Sequence, residues 1–236
     1  KNIINSRVEK IYQPEPDEIL IKLYGLTGKN NLKIVISSNN YRIHLTNFIK
    51  ENPFTAPNFC MVLRKYLTSS RIRNIYTNGL ERTVFIDFDT MSEENELQKY
   101  TLAIELMGKY SNVILVNSEN VILNSLKHFR KDEISERNIL PGYKYEELKS
   151  NKYDLTKNIN PDDFIKFISS NNLDQSNINL SNIFTGELVG VSTSLINHAL
   201  IELNLNNDVT ETSVKTLYNY LYKFLFKDRS LPESLR

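Results

Sequence analysis

The residue pair with the most distinctive chemistry in this sequence is Glu81-Arg82, which follows the turn-forming dipeptide Asn78-Gly79. A carboxylate next to a guanidinium can orient the planar guanidinium toward a phosphate group or the edge of a nucleobase. The alternative is an ordinary surface ion pair, which contributes only about 0–1 kcal/mol to stability. The spacing alone therefore leaves two interpretations, an anion-binding pair and a solvated ion pair.

Further cations are concentrated in the first third of the chain. Residues 1–82 hold thirteen Lys and Arg residues against six Asp and Glu residues, although the net charge of the whole chain is only +1. Such a local excess predicts either a surface for phosphate groups or a solvated basic surface. The basic side chains that could contribute to an anion-binding surface are Arg42, His44, Arg64, Lys65, Arg73, Lys127 and His128.

The composition argues against a metal, cofactor or membrane-anchored function. One cysteine and three scattered histidines give no metal-ligand spacing, and seven glycines form no phosphate-cradling motif. We therefore expect no metal and no cofactor. Cys60 lies in an apolar run, which favours a buried, unreactive thiol. With one cysteine, no signal peptide and no apolar run of membrane length, we expect a cytoplasmic protein that does not contact membranes.

Alternating apolar residues predict a β-rich domain over residues 1–148, with one inserted helix at 57–69. The helix should begin after the Pro-containing turn and place Phe59, Val62, Leu63 and Tyr66 on one face. A hairpin loop is expected at Gly25–Asn31. The predicted strands are Arg7–Gln13, Ile19–Tyr24, Lys33–Ser37, Tyr41–Leu45, Arg71–Thr77, Thr83–Asp89, Leu97–Leu106, Ser111–Asn117 and Asn120–Ser125.

A second, helical domain is predicted over residues 160–236, after a polar, Asn-rich linker. Asn160 is a good N-cap, and Pro161 suits the first position of a helix. Apolar residues then recur at helical spacing in 194–203 and 213–226. Gly190 precedes the first of these helices, where backbone N–H groups could meet a phosphate or where the helices simply pack closely.

An ordered series of motifs in the first 145 residues resembles the N-terminal domain of the NFACT family. The most specific motif is Asn52–Leu67, NPFTAPNFCMVLRKYL, which is similar to the family signature ENPxxPPxFCMxLRKxL. No single motif is decisive, but their order is specific. The other matching segments are Arg7–Pro14, Tyr41–Thr46, Gly79–Arg82, Glu105–Leu115, Leu126–His128 and Ile139–Gly142.

The resemblance implies an α+β fold. It predicts an antiparallel β-sheet or sandwich domain with an inserted helix, similar to the N-terminal domain of formamidopyrimidine-DNA glycosylases. A small all-helical module of the helix-hairpin-helix type should follow, around Phe184–Leu203. Because the chain starts at Lys1 and ends without the coiled coil and C-terminal domain of the family, we expect a fragment of a longer protein.

The same resemblance implies a binding function rather than an enzymatic one. Family members usually have Asp-Arg, a pair implicated in tRNA engagement, where this chain has Glu81-Arg82. By resemblance, the partners are tRNA and large ribosomal subunits obstructed by peptidyl-tRNA. The factor recruits charged tRNA, alanyl-tRNA in bacteria, for template-free tailing of the stalled chain, and the ribosome itself performs peptidyl transfer.

Two other functions remain open at this stage. Family members are also known as fibronectin- or fibrinogen-binding surface adhesins, but neither an export signal nor an anchor is evident in this sequence. The fold resemblance also allows a glycosylase-like nucleic-acid enzyme, which would need an N-terminal Pro amine with a neighbouring acid. Lys1-Asn2 supplies neither group, so we place this alternative last.

Overall fold

The chain separates into two compact units. The first consists of Lys1–Asn78 and Arg82–Leu148, and the second of Gly79–Glu81 and Lys149–Arg236. The computed structural model describes residues 3–26, 28–92, 94–131, 137–148, 150–157, 160–170 and 179–227.

The first unit is built around one antiparallel sheet. In the described residues its nine strands have the spatial order β4-β3-β2-β1-β5-β6-β7-β8-β9. One helix, α1 (Asn58–Leu67), lies between β4 and β5 in the chain. The strands are β1 (Arg7–Glu15), β2 (Glu18–Gly25), β3 (Gly28–Val35), β4 (Arg42–Leu45), β5 (Arg71–Thr77), β6 (Thr83–Met91), β7 (Leu97–Glu105), β8 (Asn112–Asn117) and β9 (Ile122–Ser125).

The main core lies between the inward faces of the strands and α1. In β2, Ile19, Ile21 and Leu23 are buried in this core, as strand alternation requires. Helix α1 contributes its own apolar stripe, Phe59, Cys60, Leu63 and Leu67. Cys60 is fully buried, as the sequence predicts, and burial raises the pKa of its thiol.

A smaller core covers the opposite face of β6–β9. It packs Phe85, Ile114 and Tyr145 together, under a segment tied to the sheet by an isolated bridge between Val121 and Lys144. A buried polar cluster holds the same segment. Its members are Glu105, which lies 2.8 Å from Arg137 Nη2, and Tyr145, whose hydroxyl donates to Glu105 Oε1 at 2.9 Å.

The second unit is helical in its described part. Asn160 caps the first helix through its side-chain oxygen, which accepts a hydrogen bond from Asp162 N–H. None of the described helices is both long and apolar enough to cross a bilayer. The helices are α2 (Pro161–Ser170), α3 (Leu180–Glu187), α4 (Thr193–Glu202) and α5 (Glu211–Tyr222), and a π-helical turn, Lys223–Lys227, follows α5.

Two sequence predictions differ from the structure. Much of the expected hairpin loop Gly25–Asn31 is strand, because β2 and β3 pair continuously up to Gly25 and Gly28. The expected linker also contributes to a core. Tyr153 and Leu155 are buried among the helices, and the backbone of Tyr153 exchanges hydrogen bonds with residues around Leu188. Apolar residues isolated in a polar stretch give no periodic signal, although tertiary packing buries them.

Gly190 has a packing role within the second unit. Its φ of +73° is in the left-handed region, and a Cβ there would meet Leu80 Cβ at 2.6 Å and Leu80 O at 2.8 Å. Close approach of the α3–α4 connection to Leu80 is therefore a sufficient reason for this glycine.

An antiparallel sheet with an inserted helix is confirmed. The helix-hairpin-helix assignment for α3 and α4 stays a prediction.

Candidate functional site

One face of strands β1–β4 points away from the main core and carries two of the basic residues predicted from the sequence, Arg42 and His44. Strand register places Tyr12, Leu20, Lys33 and His44 in a single cross-strand row on this outer face. The neighbouring rows add Lys10, Lys22 and Arg42.

At the β4 edge, Arg42 and His44 share the outer face, as strand alternation predicts. Arg42 Nη1 donates to the backbone oxygen of Asn40 at 2.9 Å, which holds the guanidinium close to the residues just before β4. Burial lowers the pKa of His44, and the charges of Arg42 and Lys33 lower it further. His44 is therefore neutral at pH 7, and its contribution to anion binding would be a hydrogen bond rather than a charge.

On the β1 side of this face, α1 packs against β1 beyond the short pairing of β1 with β5 at Arg7 and Arg71. The backbone oxygen of Ile11 accepts a hydrogen bond from Arg64 Nε at 2.8 Å and a weak one from Cys60 Sγ at 3.5 Å. The guanidinium of Arg64 lies over the ring of Tyr12, 5.6 Å from its centroid. Lys65 is exposed beside it, with its ammonium 5.1 Å from the Tyr66 ring centroid. Arg64 is thus held in place and Lys65 is not.

Two lysines on the outer face were not singled out from the sequence. Lys10 and Lys22 are directly opposite each other across β1 and β2, and Lys22 Nζ lies 5.3 Å from the Tyr12 ring centroid. The alternation Lys10-x-Tyr12 was a usable signal, because a strand places both on one face. We call Lys10, Lys22, Arg42, His44 and Arg64 the basic face.

The pair Glu81-Arg82 differs from the sequence hypothesis. Glu81 Oε1 accepts a hydrogen bond from the backbone N–H of Ser150 at 2.9 Å, so this carboxylate organises the start of the second unit. The guanidinium of Arg82 is exposed and makes no hydrogen bond or ion pair with any residue that the structure describes. Arg82 is therefore available to an anion, but Glu81 does not orient it.

Arg73, another basic residue proposed from the sequence, is already paired in the structure. Its Nε lies 2.8 Å from Asp89 Oδ2, and its Nη1 donates to Asn5 Oδ1 at 3.0 Å. This side chain remains 46% exposed, but a carboxylate already neutralises it. Asp89 comes sixteen residues after Arg73, and only the pairing of β5 with β6 brings the two together.

Lys127 and His128 lie at the end of the sheet where β6 and β8 begin. Lys127 Nζ donates to the backbone oxygen of Lys109 at 3.4 Å, and burial lowers its pKa. His128 Nε2 is 2.9 Å from Asn124 Oδ1. Arg82 reaches the same end, because its backbone oxygen accepts from Leu106 N–H at the end of β7.

The structure thus divides the candidate residues among several places. The basic face combines fixed cations and aromatic rings, an arrangement suited to a polyanion with planar bases. Among the residues described, no group of three or more His, Cys, Asp or Glu side chains is placed to hold a metal ion. Lys1 and Asn2, on which the glycosylase alternative depends, lie outside the described residues.

Sequence comparison identifies the family to which the chain is similar. A family model described as the N-terminal and middle domains of NFACT matches residues 1–230. A protein named Rqc2 homolog RqcH from Bacillus subtilis is 34% identical over 147 residues, which are 61% of this chain and 26% of that protein. The protein of the same name from Streptococcus suis is 30% identical over 208 residues, 85% of this chain and 36% of its own length. The chain thus spans about a quarter to a third of the length of these relatives.

Solved structures share the fold. The N-terminal domain of the fibronectin-binding protein PavA from Streptococcus pneumoniae superposes with a TM-score of 0.71 at 26% identity, covering 95% of this chain and 74% of that one. The N-terminal part of the fibronectin/fibrinogen-binding protein from Streptococcus suis gives a TM-score of 0.76 at 24% identity, over 94% and 79% of the two chains. The second likeness shows the fold alone.

Proposed function

Because the chain belongs to the NFACT family, we propose that it is the tRNA-binding part of a ribosome-associated quality control factor. In this proposal it binds tRNA and large ribosomal subunits that carry stalled peptidyl-tRNA. The factor recruits a charged tRNA, alanyl-tRNA in bacteria, and the ribosome then extends the stalled chain without a template. The protein would work in the cytoplasm as a binding protein, since the peptidyl transfer belongs to the ribosome.

The observation that carries this proposal is the basic face. Among the described residues, Lys10, Lys22, Arg42 and Arg64 form no ion pair with a carboxylate. Cations left without counter-charges on one face supply the phosphate-directed, salt-dependent part of nucleic-acid affinity. Their position next to Tyr12 adds an aromatic group, as in surfaces that bind bases and backbone together. The names of the relatives, RqcH from two organisms, support the ribosomal context.

Arg82 provides the sharpest test, with Arg73 as its matched counterpart. Both are exposed arginines of the first unit, but Arg73 is paired with Asp89 and Arg82 is not. We expect Arg82→Ala to remove a charge-assisted hydrogen bond of about 1.5–3 kcal/mol, roughly a 10- to 150-fold decrease in tRNA affinity. Arg73→Ala should change the affinity less than about twofold, because its guanidinium is already neutralised.

The measurement is the tRNA affinity of the 236-residue chain at two salt concentrations, with thermal melts to check folding. Equal, small decreases for the two variants would mean that Arg82 does not contact tRNA. The ribosomal part of the proposal needs the complete protein, because this chain covers only 26% of one relative. Failure of the complete protein to sediment with large subunits carrying peptidyl-tRNA would refute that part.

A second candidate function is binding to fibronectin. It is favoured by the likeness to the PavA domain, which is called fibronectin-binding and shares 26% identity with this chain. Immobilised fibronectin should then retain the chain at physiological salt, where purely electrostatic binding is weakened. Retention that disappears when tRNA is added would indicate that the basic face binds polyanions in general.

A further inference from the structure

A β-bulge in β1 places two oppositely charged side chains next to each other outside the core. Val8 is opposite Leu23, both in the main core, whereas Lys10 is opposite Lys22 on the outer face. The register shift between these pairs leaves Glu9 as the extra residue of β1. Bulges of this kind re-aim side chains, and they are frequent at functional sites. Neither Glu9 nor Lys10 forms an ion pair with any residue that the structure describes.

Arg64 faces this bulge in a fixed position. Its Nε donates to the Ile11 carbonyl at 2.8 Å, its Nη1 lies 3.9 Å from Met61 Sδ, and its Cζ lies 5.6 Å from the centroid of the Tyr12 ring. Nη2 makes no hydrogen bond to a described residue, so one edge of the guanidinium is open. Because the guanidinium is already ordered, it loses little entropy when it binds an anion.

Between the bulge and Arg64 lies a cavity of about 340 Å³, within the size range of small-ligand sites. Its lining residues are Glu9, Lys10, Ile11, Tyr12, Arg64 and Thr68. The cavity therefore combines two cations with one carboxylate, and all of its residues belong to the first unit.

Lys10, in the cavity, and Lys22, beside it, repel each other when no ligand is bound. Lys10 and Lys22 are directly opposite each other, and like charges in that position destabilise a sheet. An anion held by Lys10 and Arg64 relieves this repulsion. Glu9 repels a bare phosphate but accepts a hydrogen bond from a hydroxyl group. A ligand that presents a phosphate at one end and a hydroxyl at the other matches both requirements, and the ribose phosphate of RNA has this chemistry.

We propose that this cavity binds one ribose phosphate unit of an RNA strand. Arg64 and Lys10 hold the phosphate, and Glu9 accepts a hydrogen bond from the 2′-hydroxyl group. This site rests on the proposed function. It adds an RNA contact to the basic face and gives that face a preference for RNA over DNA. A free ribonucleotide has the same chemistry, so the experiment must distinguish binding of a free nucleotide from binding of an RNA strand.

The first arm uses mononucleotides and the isotope-labelled 236-residue chain. Titration with adenosine monophosphate should shift the backbone amide NMR signals of Lys10, Tyr12 and Thr68. The 2′-deoxy analogue should bind at least about threefold more weakly, since it lacks the hydroxyl that Glu9 recognises. In Glu9→Ala, which has no side-chain acceptor for the 2′-hydroxyl group, the two nucleotides should bind nearly equally. Equal binding to the unmodified chain, or shifts confined to other regions, would overturn the proposal.

The second arm uses tRNA. Lys10→Gln should weaken tRNA binding about three- to tenfold, and Arg64→Gln about tenfold or more, because each variant removes a charge-assisted hydrogen bond to phosphate. Lys99→Gln is the matched control. It removes an exposed lysine on β7 that forms no ion pair with a described residue, and it should change the affinity less than about twofold. Lys10 is exposed, so its variant remains informative even if Arg64→Gln folds poorly.

The outcomes separate this site from the proposed function. Binding of tRNA that depends on Arg82 but is insensitive to both cavity variants would refute the cavity alone. Nucleotide shifts in the cavity with unchanged tRNA affinity would assign it to free nucleotides and overturn its role in RNA binding. A chain that binds no tRNA at all would refute the proposed function and this inference together.

Discussion

The outer face of β1–β4 carries lysines at both ends, but among the residues that the structure describes they are paired with a carboxylate at one end only. At the Glu18 end, Lys33 Nζ lies 2.7 Å from Glu18 Oε1, and Lys50 Nζ lies 3.2 Å from Glu18 Oε2. The side chains of Lys33 and Glu18 are only 5% and 4% exposed. Burial opposes ionisation of Glu18, but its contacts with the two ammonium groups outweigh burial and lower its pKa.

At the other end, the cations have aromatic and backbone partners but no carboxylate partner among the described residues. Lys22 and Arg64 lie near the ring of Tyr12, while Lys10 is exposed. An aromatic ring attracts a cation without cancelling its charge, so the cation remains able to bind an anion. The partner of a lysine, rather than the number of lysines, therefore separates a structural ion pair from a binding surface.

The largest effect is expected at the Glu18 end. Glu18→Gln leaves the buried ammonium of Lys33 without a counter-charge, and we expect the free energy of unfolding to fall by about 3 kcal/mol. Urea denaturation measures this change. Glu15→Gln is the control, since Glu15 pairs with Lys50 at 3.4 Å in an exposed position and should cost less than about 0.5 kcal/mol. Similar costs for the two variants would show that burial does not make the Lys33–Glu18 ion pair more important than the exposed Lys50–Glu15 pair.

An intermediate effect is expected for Lys22→Gln, on binding rather than on stability. The variant removes a cation–π interaction and also removes repulsion from Lys10, so the free energy of unfolding should change by less than about 0.5 kcal/mol. If Lys22 binds one phosphate, the slope of log affinity against log salt should become shallower by about 0.7–0.9 in the variant. The slope is measured from tRNA titrations at several salt concentrations.

Lys33→Gln, the same substitution at the other end of the face, should affect stability rather than binding, the reverse of Lys22→Gln. Because Lys33 is buried against Glu18, its removal should reduce the free energy of unfolding by about 3 kcal/mol and leave the salt slope unchanged. If Lys33→Gln lowered the slope as much as Lys22→Gln, both ends of the face would contact phosphate. The distinction drawn from the ion pairs would then be wrong.

The smallest effect concerns pH. The pKa of His44 in the folded chain is lowered by burial and by the nearby Arg42 and Lys33 charges. In the unfolded chain, the pKa of a histidine is about 6.5. Above that pH the folded state keeps its full stability with respect to His44, and this stability is lost as pH falls through the lower pKa of the folded state. Between about pH 7 and pH 5, His44→Asn should therefore lose less stability than the unmodified chain. The difference should be a fraction of the roughly 1.4 kcal/mol that one pKa unit represents. Parallel pH profiles would contradict this prediction.

Local sequence patterns were sufficient for most of the first unit. The apolar runs of β2 and β6, and the i, i+3, i+4 spacing of Phe59, Val62 and Leu63 in α1, are properties of neighbouring residues. The positions of Arg42 and His44, two residues apart on one strand, likewise place them on one face. Patterns failed where the backbone departs from regular pairing, as at the Glu9 bulge, or where polar residues such as Asn30 continue a strand.

The partners of the charged groups could not be predicted in this way. Glu81 precedes Arg82, yet its carboxylate accepts a hydrogen bond from Ser150, which is 69 positions away. Arg73 has no acidic neighbour in the sequence, but the pairing of β5 with β6 brings Asp89 to it. Long side chains choose among several partners within reach, and strand register decides which partners those are.

The sequence by itself determined the elements, the apolar stripes that bury them, the excess of positive charge in residues 1–82 and the motifs of the family. The tertiary structure alone decided which cations are neutralised and which remain open. The physical reason is the difference in how far apart along the chain the interacting residues lie. Secondary structure follows from periodicities of a few residues, whereas an ion pair or a cavity depends on groups within a few ångströms that the chain brings together from distant positions.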